Sequence, residues 1–213
     1  MKIIPTKTPS LLKFLFPKYT WDFYNTTIKK TIYLTFDDGP IPEVTEFVLD
    51  QLNQYNAKAT FFCIGENIKK HPTIFKKIIK EDHTIGNHTM NHLKAWKNNT
   101  TTYIENISAC EEQIYKHTTI KNKLFRPPYG QISTSKLKLA QELGYEILLW
   151  DIVAKDWEKS LSPQQCAKNV ISNSQSGSIL VFHDSIKAYK NLKYALPKVL
   201  EYFTNKGYVF DKI

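Results

Sequence analysis

Cysteine is scarce and scattered in this sequence. Cys63, Cys110 and Cys166 form no CxxC pair, which argues against a disulfide framework and leaves buried free thiols as the expectation. No GxGxxG or GxxxxGK[ST] follows an apolar run, so the usual nucleotide-binding signatures are missing. Long hydrophobic runs are missing too, and nothing approaches the length of a transmembrane helix. The N-terminal stretch LLKFLF contains Lys13, is broken by Pro17 and has no small-residue cleavage site, so a secretory signal is not expected. Acidic residues are the minority, 20 against 29 lysines and arginines, giving a formal charge of +9. That balance suits an anionic neighbour: a cell-wall polymer, a membrane surface or nucleic acid. The lysines are dispersed and no nucleic-acid-binding module is recognisable, so nucleic acid is not expected as a partner.

The 213 residues are enough for one sizeable domain, and 42% hydrophobic with 23% charged residues is an ordinary globular balance. Residues 1–30 read as a lead-in segment packing on a domain of residues 31–213. The alternative for the lead-in is a weak interfacial anchor, with Leu, Phe and Trp dipping in beside Lys.

The chain then alternates. Ile32–Phe36 reads as a strand, and Glu43–Tyr55 carries Val44, Phe47, Val48, Leu52 and Tyr55 at helical spacing. ATFFCIG, TIGN, LFRPP, YEILLW, SILVFH and YVF supply further strands. Between them lie helical stretches from about Pro72, from Thr102 to Lys116, over STSKLKLAQELG with Gly144 as its stop, and from an N-cap at Ser162. About seven strands alternating with helices predict a parallel sheet closed or nearly closed into a distorted (β/α) barrel, with a doubly wound open sheet as runner-up.

Unusual polar residues follow the strands. Asp37 and Asp38 lie in TFDDGP, His88 and His92 in HTMNH, Arg126 in FRPPYG, Asp151, Asp156 and Trp157 in LWDIVAKDW, and His183 and Asp184 in LVFHDS. All are expected at the carboxyl ends of strands, the face on which parallel barrels carry chemistry. Two adjacent aspartates could merely form a turn, but that placement favours convergence on a cation or reacting group. His88 and His92, four residues apart, can share a face on a helix or tight turn. With Asp38 they make a two-His, one-carboxylate set that suits zinc with a position left open for water. Thr89 stands where a zinc-protease HExxH motif needs Glu, which disfavours a protease. His71, His83 and His117 are expected to be ordinary surface residues.

In this order TFDDGP, HTMNH, RPPYG, DW and LVFHD resemble the NodB-homology polysaccharide deacetylases, carbohydrate esterase family 4, from about Ile32 to the end of the chain. The resemblance implies metal-dependent removal of acetyl groups from N-acetylated sugars. It implies that Asp38, His88 and His92 bind one divalent metal, zinc foremost with cobalt or nickel as alternatives. Asp37 would be the general base, held by Arg126, and the Tyr129 N–H would join an oxyanion hole. His183 would be the general acid, paired with Asp156, while Trp157 and Val181 would line the acetate pocket. Where the family often has an aspartate three residues before its DW, this chain has Val153. The role of Asp151 is therefore open, a strand-end cap being the plain reading. The implied partner is an acetylated amino-sugar glycan, peptidoglycan or chitin-like. The alternatives are an O-acetyl esterase on an acetylated polysaccharide and a sugar-binding protein without catalysis. A monomer is expected, cytoplasmic or peripheral at the cytoplasmic membrane.

Overall fold

The fold was analysed in a computed structural model that describes residues 5–27, 29–119 and 123–213; of the lead-in segment, residues 1–4 and 28 lie outside these. A short helix α1 (Ser10–Leu15) precedes the alternation. Then come β1 (Thr31–Asp37), α2 (Val44–Gln54), β2 (Thr60–Cys63), α3 (Gly65–Lys70), α4 (Pro72–Lys80), β3 (Thr84–Asn87) and α5 (Thr100–Tyr115). The second half holds β4 (Leu124–Phe125), α6 (Thr134–Glu142), β5 (Glu146–Ile147), β6 (Ile152–Val153), α7 (Pro163–Asn173), β7 (Ile179–His183), α8 (Tyr189–Asn205) and β8 (Val209–Asp211).

Seven strands run in the order β5-β4-β3-β2-β1-β7-β6, every pair parallel, and β8 adds to the start of β1. The sheet curls but does not close between β5 and β6, so the barrel expected from the alternation is a distorted, open one. β1 is central and buried along its length except at Tyr33, which explains why TIYLTFD reads as an apolar run rather than an alternation. The main core lies between the sheet and the helices α2, α4, α7 and α8, with Phe36 stacked between Phe61 and Phe182 at centroid distances of 5.1 and 6.2 Å.

Local signals fixed the helix ends. The Ser162 hydroxyl accepts from the Gln165 N–H, with Pro163 in the first turn. Gly144 takes φ +87° just after α6, the left-handed conformation that stops a helix at little steric cost. All three cysteines are free and buried.

The N-terminal segment enters the gap between β5 and β6. Lys7 bridges Ile152 in antiparallel fashion, with the Val153 N–H donating to the Thr6 carbonyl at 2.9 Å and the Thr8 N–H to the Asp151 carbonyl at 2.8 Å. Thr20 returns parallel to β5, taking a bond from the Leu149 N–H and giving one to the Ile147 carbonyl. Backbone groups at the open edges are thus paired rather than bare. The run YEILLW is correspondingly shorter as a strand than its apolar character suggests, since only Glu146–Ile147 belongs to the ladder.

Two sequence expectations are corrected here. Asp151 does not follow a strand toward the carboxyl-end face. It precedes β6 and turns to the amino end, where its carboxylate accepts from Ser178 Oγ at 2.8 Å, from Lys13 Nζ at 2.6 Å and from the Tyr24 hydroxyl. His83 is not a surface residue. It is 7% exposed, and its Nδ1 accepts the Ala59 N–H at the start of β2. Burial, then the neighbouring Lys58, pushes its pKa down to about 4, so the ring is a neutral acceptor.

Candidate active site

At the carboxyl ends of the strands the chain makes a cavity of about 460 Å³. It is lined by Asp37, Asp38, His92 and Tyr129, by Trp150, Val153, Trp157, Val181 and His183, and by Gln131, Ser185 and Lys187. Val153, the departure from the family pattern, is thus part of the cavity wall.

Asp37 is the last residue of β1, and its side chain is buried against Arg126. Arg126 is fully buried and uses all three of its guanidinium nitrogens as donors. Nη1 donates to Asp37 Oδ1 and Thr35 Oγ1, both at 2.7 Å, while Nε and Nη2 donate to the Leu148 and Leu149 carbonyls. The guanidinium also lies 4.1 Å from the Phe62 ring centroid. Burial alone would raise the Asp37 pKa, but the charge and hydrogen bond of Arg126, together with His88 and His183, outweigh it and hold the carboxyl below its ordinary value. The carboxylate is therefore ionised and aimed.

Asp38 follows at φ +86°, turning its side chain away from that of its neighbour. Its carbonyl accepts from Asn67 Nδ2 at 2.7 Å. Asp184, just past β7, fastens the next residues: its Oδ1 accepts the Gly39 N–H at 3.0 Å and its Oδ2 the Thr45 hydroxyl at 2.6 Å. A β-carbon on Gly39 would stand 1.9 Å from Asp184 Oδ2, so only glycine fits here. Burial pushes the Asp184 carboxyl up to about 8.

His88 and His92 are brought together by a tight turn rather than a helix, with Thr89 at φ +67° and His92 at φ +57°. Asn87 Oδ1 accepts the Thr89 N–H and Thr89 Oγ1 the Leu93 N–H, which brace the turn. His88 Nδ1 bonds the Arg126 carbonyl at 2.7 Å, which directs Nε2 toward Asp38. The two Nε2 atoms lie 3.8 and 3.4 Å from Asp38 Oδ1, and one donor from each residue falls within 4.8 Å of the others.

This donor set fits a cation. Asp38 Oδ1 is buried yet has no hydrogen-bond partner, an orphaned acceptor that a metal would satisfy. Burial and then His88 push the His92 pKa down to about 4, favouring the neutral ring that ligation requires.

On the neighbouring strand, level with Asp37, His183 ends β7. Its Nδ1 pairs with Asp156 Oδ1 at 2.9 Å, and Asp156 Oδ2 accepts the His183 N–H at 2.7 Å. Burial would lower the His183 pKa, but the charge and hydrogen bond of Asp156, with Asp38 and Asp37 adding, override it and lift the pKa to about 9. Trp157 packs edge-on to the imidazole at 4.7 Å. Asn191 of α8 donates to the Asp156 carbonyl at 2.9 Å and holds that loop. Tyr129 takes φ +61° and leans on His92 at a ring distance of 4.6 Å, and a β-carbon on the following Gly130 would strike Trp150 at 2.6 Å.

The ten residues singled out from the sequence, Asp37, Asp38, His88, His92, Arg126, Tyr129, Asp156, Trp157, Val181 and His183, all lie in or directly behind this cavity. Asp151 does not. Sequence reading assigned no part to Thr35, Asn87, Asp184 or Asn191. Thr35 and Asp184 lie within TFDDGP and LVFHD and Asn87 adjoins HTMNH, a signal that could have found their roles, whereas Asn191 is reached only through the fold.

Residues 24–148 match the family model described as polysaccharide deacetylase. A peptidoglycan-N-acetylglucosamine deacetylase of Bacillus cereus is 39% identical over 191 residues, 89% of this chain and 69% of that protein. A chitooligosaccharide deacetylase of Azorhizobium caulinodans is 35% identical, covering 73% of this chain and 74% of its own length. Among solved structures, a peptidoglycan N-acetylglucosamine deacetylase in complex with 4-naphthalen-1-yl-N-oxidanyl-benzamide superposes with a TM-score of 0.87 at 36% identity, covering 97% of this chain and 95% of that one. On the match over more than half its length and on this likeness, the chain belongs to the polysaccharide deacetylase family.

Proposed function

We propose that this deacetylase hydrolyses the acetamido group of N-acetylglucosamine units in a glycan, releasing acetate and a free amine. The observation that carries the reading is the pair of dyads on one cavity, at the ends of two neighbouring strands: Arg126 with Asp37, and Asp156 with His183. One dyad keeps a carboxylate without its proton, and the other keeps an imidazole with one. Amide hydrolysis needs both at once.

Asp38, His88 and His92 are the residues that would hold a divalent ion, zinc from the mixed imidazole and carboxylate donors, with cobalt or nickel as alternatives. Such an ion supplies Lewis acidity toward a carbonyl oxygen and makes water a better nucleophile near neutral pH. The remaining work falls to the chain. Asp37 takes the proton as water attacks the acetyl carbon, and Arg126 keeps its carboxylate ionised and oriented. The Tyr129 N–H donates to the developing oxyanion. His183 gives its proton to the departing nitrogen, which cannot leave as an anion, and the charge of Asp156 keeps that proton available. Trp157 and Val181 wall the space for the acetyl methyl group.

The protonated His183 also separates this reading from an O-acetyl esterase, whose alkoxide leaving group needs less help from an acid. A non-catalytic sugar-binding role is opposed by the presence of candidate ligands, base and acid together. Acetate release should be measured from N-acetylglucosamine oligomers, peptidoglycan and acetylated xylan, with and without chelator. Release from the amino-sugar substrates that chelator abolishes is expected; release from xylan alone, or none from any, would sink the proposal. The active species is proposed to be the monomer, since every group invoked comes from one chain.

A further inference from the structure

We propose that α1 and its aromatic margin dock this protein on an anionic phospholipid bilayer. The helix is arranged inside out. Its apolar side chains face solvent, with Leu11 68%, Phe14 80% and Leu15 59% exposed, and no residue of α1 is buried. The charge on the helix is the part that turns inward. Lys13 Nζ lies 2.6 Å from both Asp22 and the fully buried Asp151, so it is neutralised and presents nothing outward. A solvated helix would reverse this arrangement.

The surroundings fit an interface. Phe16 is exposed beyond the helix end, and half-buried Tyr19 and Trp21 follow, their rings in contact at 5.7 Å and the Trp21 indole donating to the Phe16 carbonyl. Aromatic rings with one polar end favour the boundary between lipid headgroups and chains. Exposed Lys7 and Lys18 flank the helix, with exposed Glu146 as the acid near Thr20, and the whole chain carries an excess of nine positive charges. The attraction is therefore to anionic lipid.

Position completes the argument. Residues 6–8 run antiparallel to β6, toward the amino end of the sheet, so α1 emerges there beside Ser178 and Asp151. The cavity opens at the opposite end, around Asp37 and His183. A bilayer under α1 leaves the cavity facing the aqueous phase.

The test is co-sedimentation of the full chain with phosphatidylglycerol–phosphatidylcholine vesicles and with pure phosphatidylcholine vesicles, alongside sedimentation velocity without lipid. Wild type should partition onto the anionic vesicles. Phe14→Ser/Leu15→Ser should lower that partition coefficient at least tenfold with an unchanged melting temperature, and Lys18→Glu should lower it severalfold. Equal partition of wild type and the double variant would overturn the proposal, as would equal uptake by neutral and anionic vesicles. Self-association without lipid that the double variant removes, with no vesicle uptake, would assign the face to a second copy and overturn it as well.

Discussion

Arg126 Nη1 reaches Asp37 Oδ1 at 2.7 Å while both side chains are closed to solvent. Removing one partner of such a pair leaves a buried charge alone and typically costs about 3–5 kcal/mol. Arg126→Lys keeps the charge but forfeits the planar fork that also holds the Leu148 and Leu149 carbonyls. The Asp37 carboxyl, now below its ordinary value, should rise, and the acid limb of kcat/KM should move to higher pH with a loss of about 10²-fold. The linkage has a definite sign. A depressed folded pKa stabilises the fold above the ordinary value of 3.8, and that contribution is lost as pH falls through the depressed one. Acid unfolding of the variant should therefore begin at higher pH than in wild type. A pH–rate profile with an unmoved acid limb would refute the positioning role.

Asp37→Asn and Asp38→Asn should fail in different ways. Loss of the base should slow acetate release by about 10²–10⁴ while metal content stays at the wild-type level. Loss of Asp38 should lower the metal content itself, since its Oδ1 is the acceptor facing both imidazoles. Elemental analysis of both purified variants decides, and equal metal loss would mean that the neighbouring aspartates are not divided in this way.

Asp156→Asn tests the other dyad. Against burial, the charge and hydrogen bond of Asp156, with Asp38 and Asp37 adding, push the His183 pKa up to about 9, so removing the Asp156 charge should lower it. The alkaline limb of amide hydrolysis should then move from about pH 9 to lower pH. Stability follows the same sign: the His183 contribution is complete below pH 6.5 and is lost as pH rises through about 9. An activated acetate ester, whose leaving group needs no proton, should be cleaved with much less loss. Equal losses on amide and ester would demote His183 to a positioning residue.

Asp151→Ala should separate stability from chemistry. The substitution takes the acceptor from the Tyr24 and Ser178 hydroxyls and leaves Lys13 with Asp22 alone, beside a buried gap. A loss of about 3 kcal/mol is expected, read as a lower denaturant midpoint. Because this carboxylate faces the amino end, turnover per folded molecule at low temperature should stay within about twofold. A selective loss of kcat in fully folded protein would contradict that placement.

Order along the chain made much of this site legible. TFDDGP, HTMNH and LVFHD each sit where a strand meets its following loop, and parallel strands bring such loops to one end whatever lies between. The bracing around them was harder to see. Asn87 and Thr89 stiffen a turn that spacing alone could equally have made a helix. Asp184 looked like a mere companion of His183, although it holds the turn after Asp38 through Gly39 and Thr45. β6 has two residues, too few for any periodicity, and its N-terminal neighbour comes from the far end of the chain. That missing strand is why Asp151 was expected on the wrong end. His83 misled because a histidine between a helix and a strand carries no pattern that tells a solvated ring from one capping the adjacent backbone.

The pairing of Thr6 and Thr8 with Val153 and Asp151 has a consequence for how the molecule is made. During synthesis Thr6 and Thr8 must wait until residues 151–153 have been made, a long loop to close. The stretch around those residues includes Leu148 and Leu149, whose carbonyls hold Arg126, and Trp150 and Val153, which wall the cavity. A nascent chain that has already made Asp37, Asp38, His88 and His92 therefore still lacks the clamp on its base and part of its pocket. Competence arrives late and nearly all at once, so a truncated product should be silent rather than partly active.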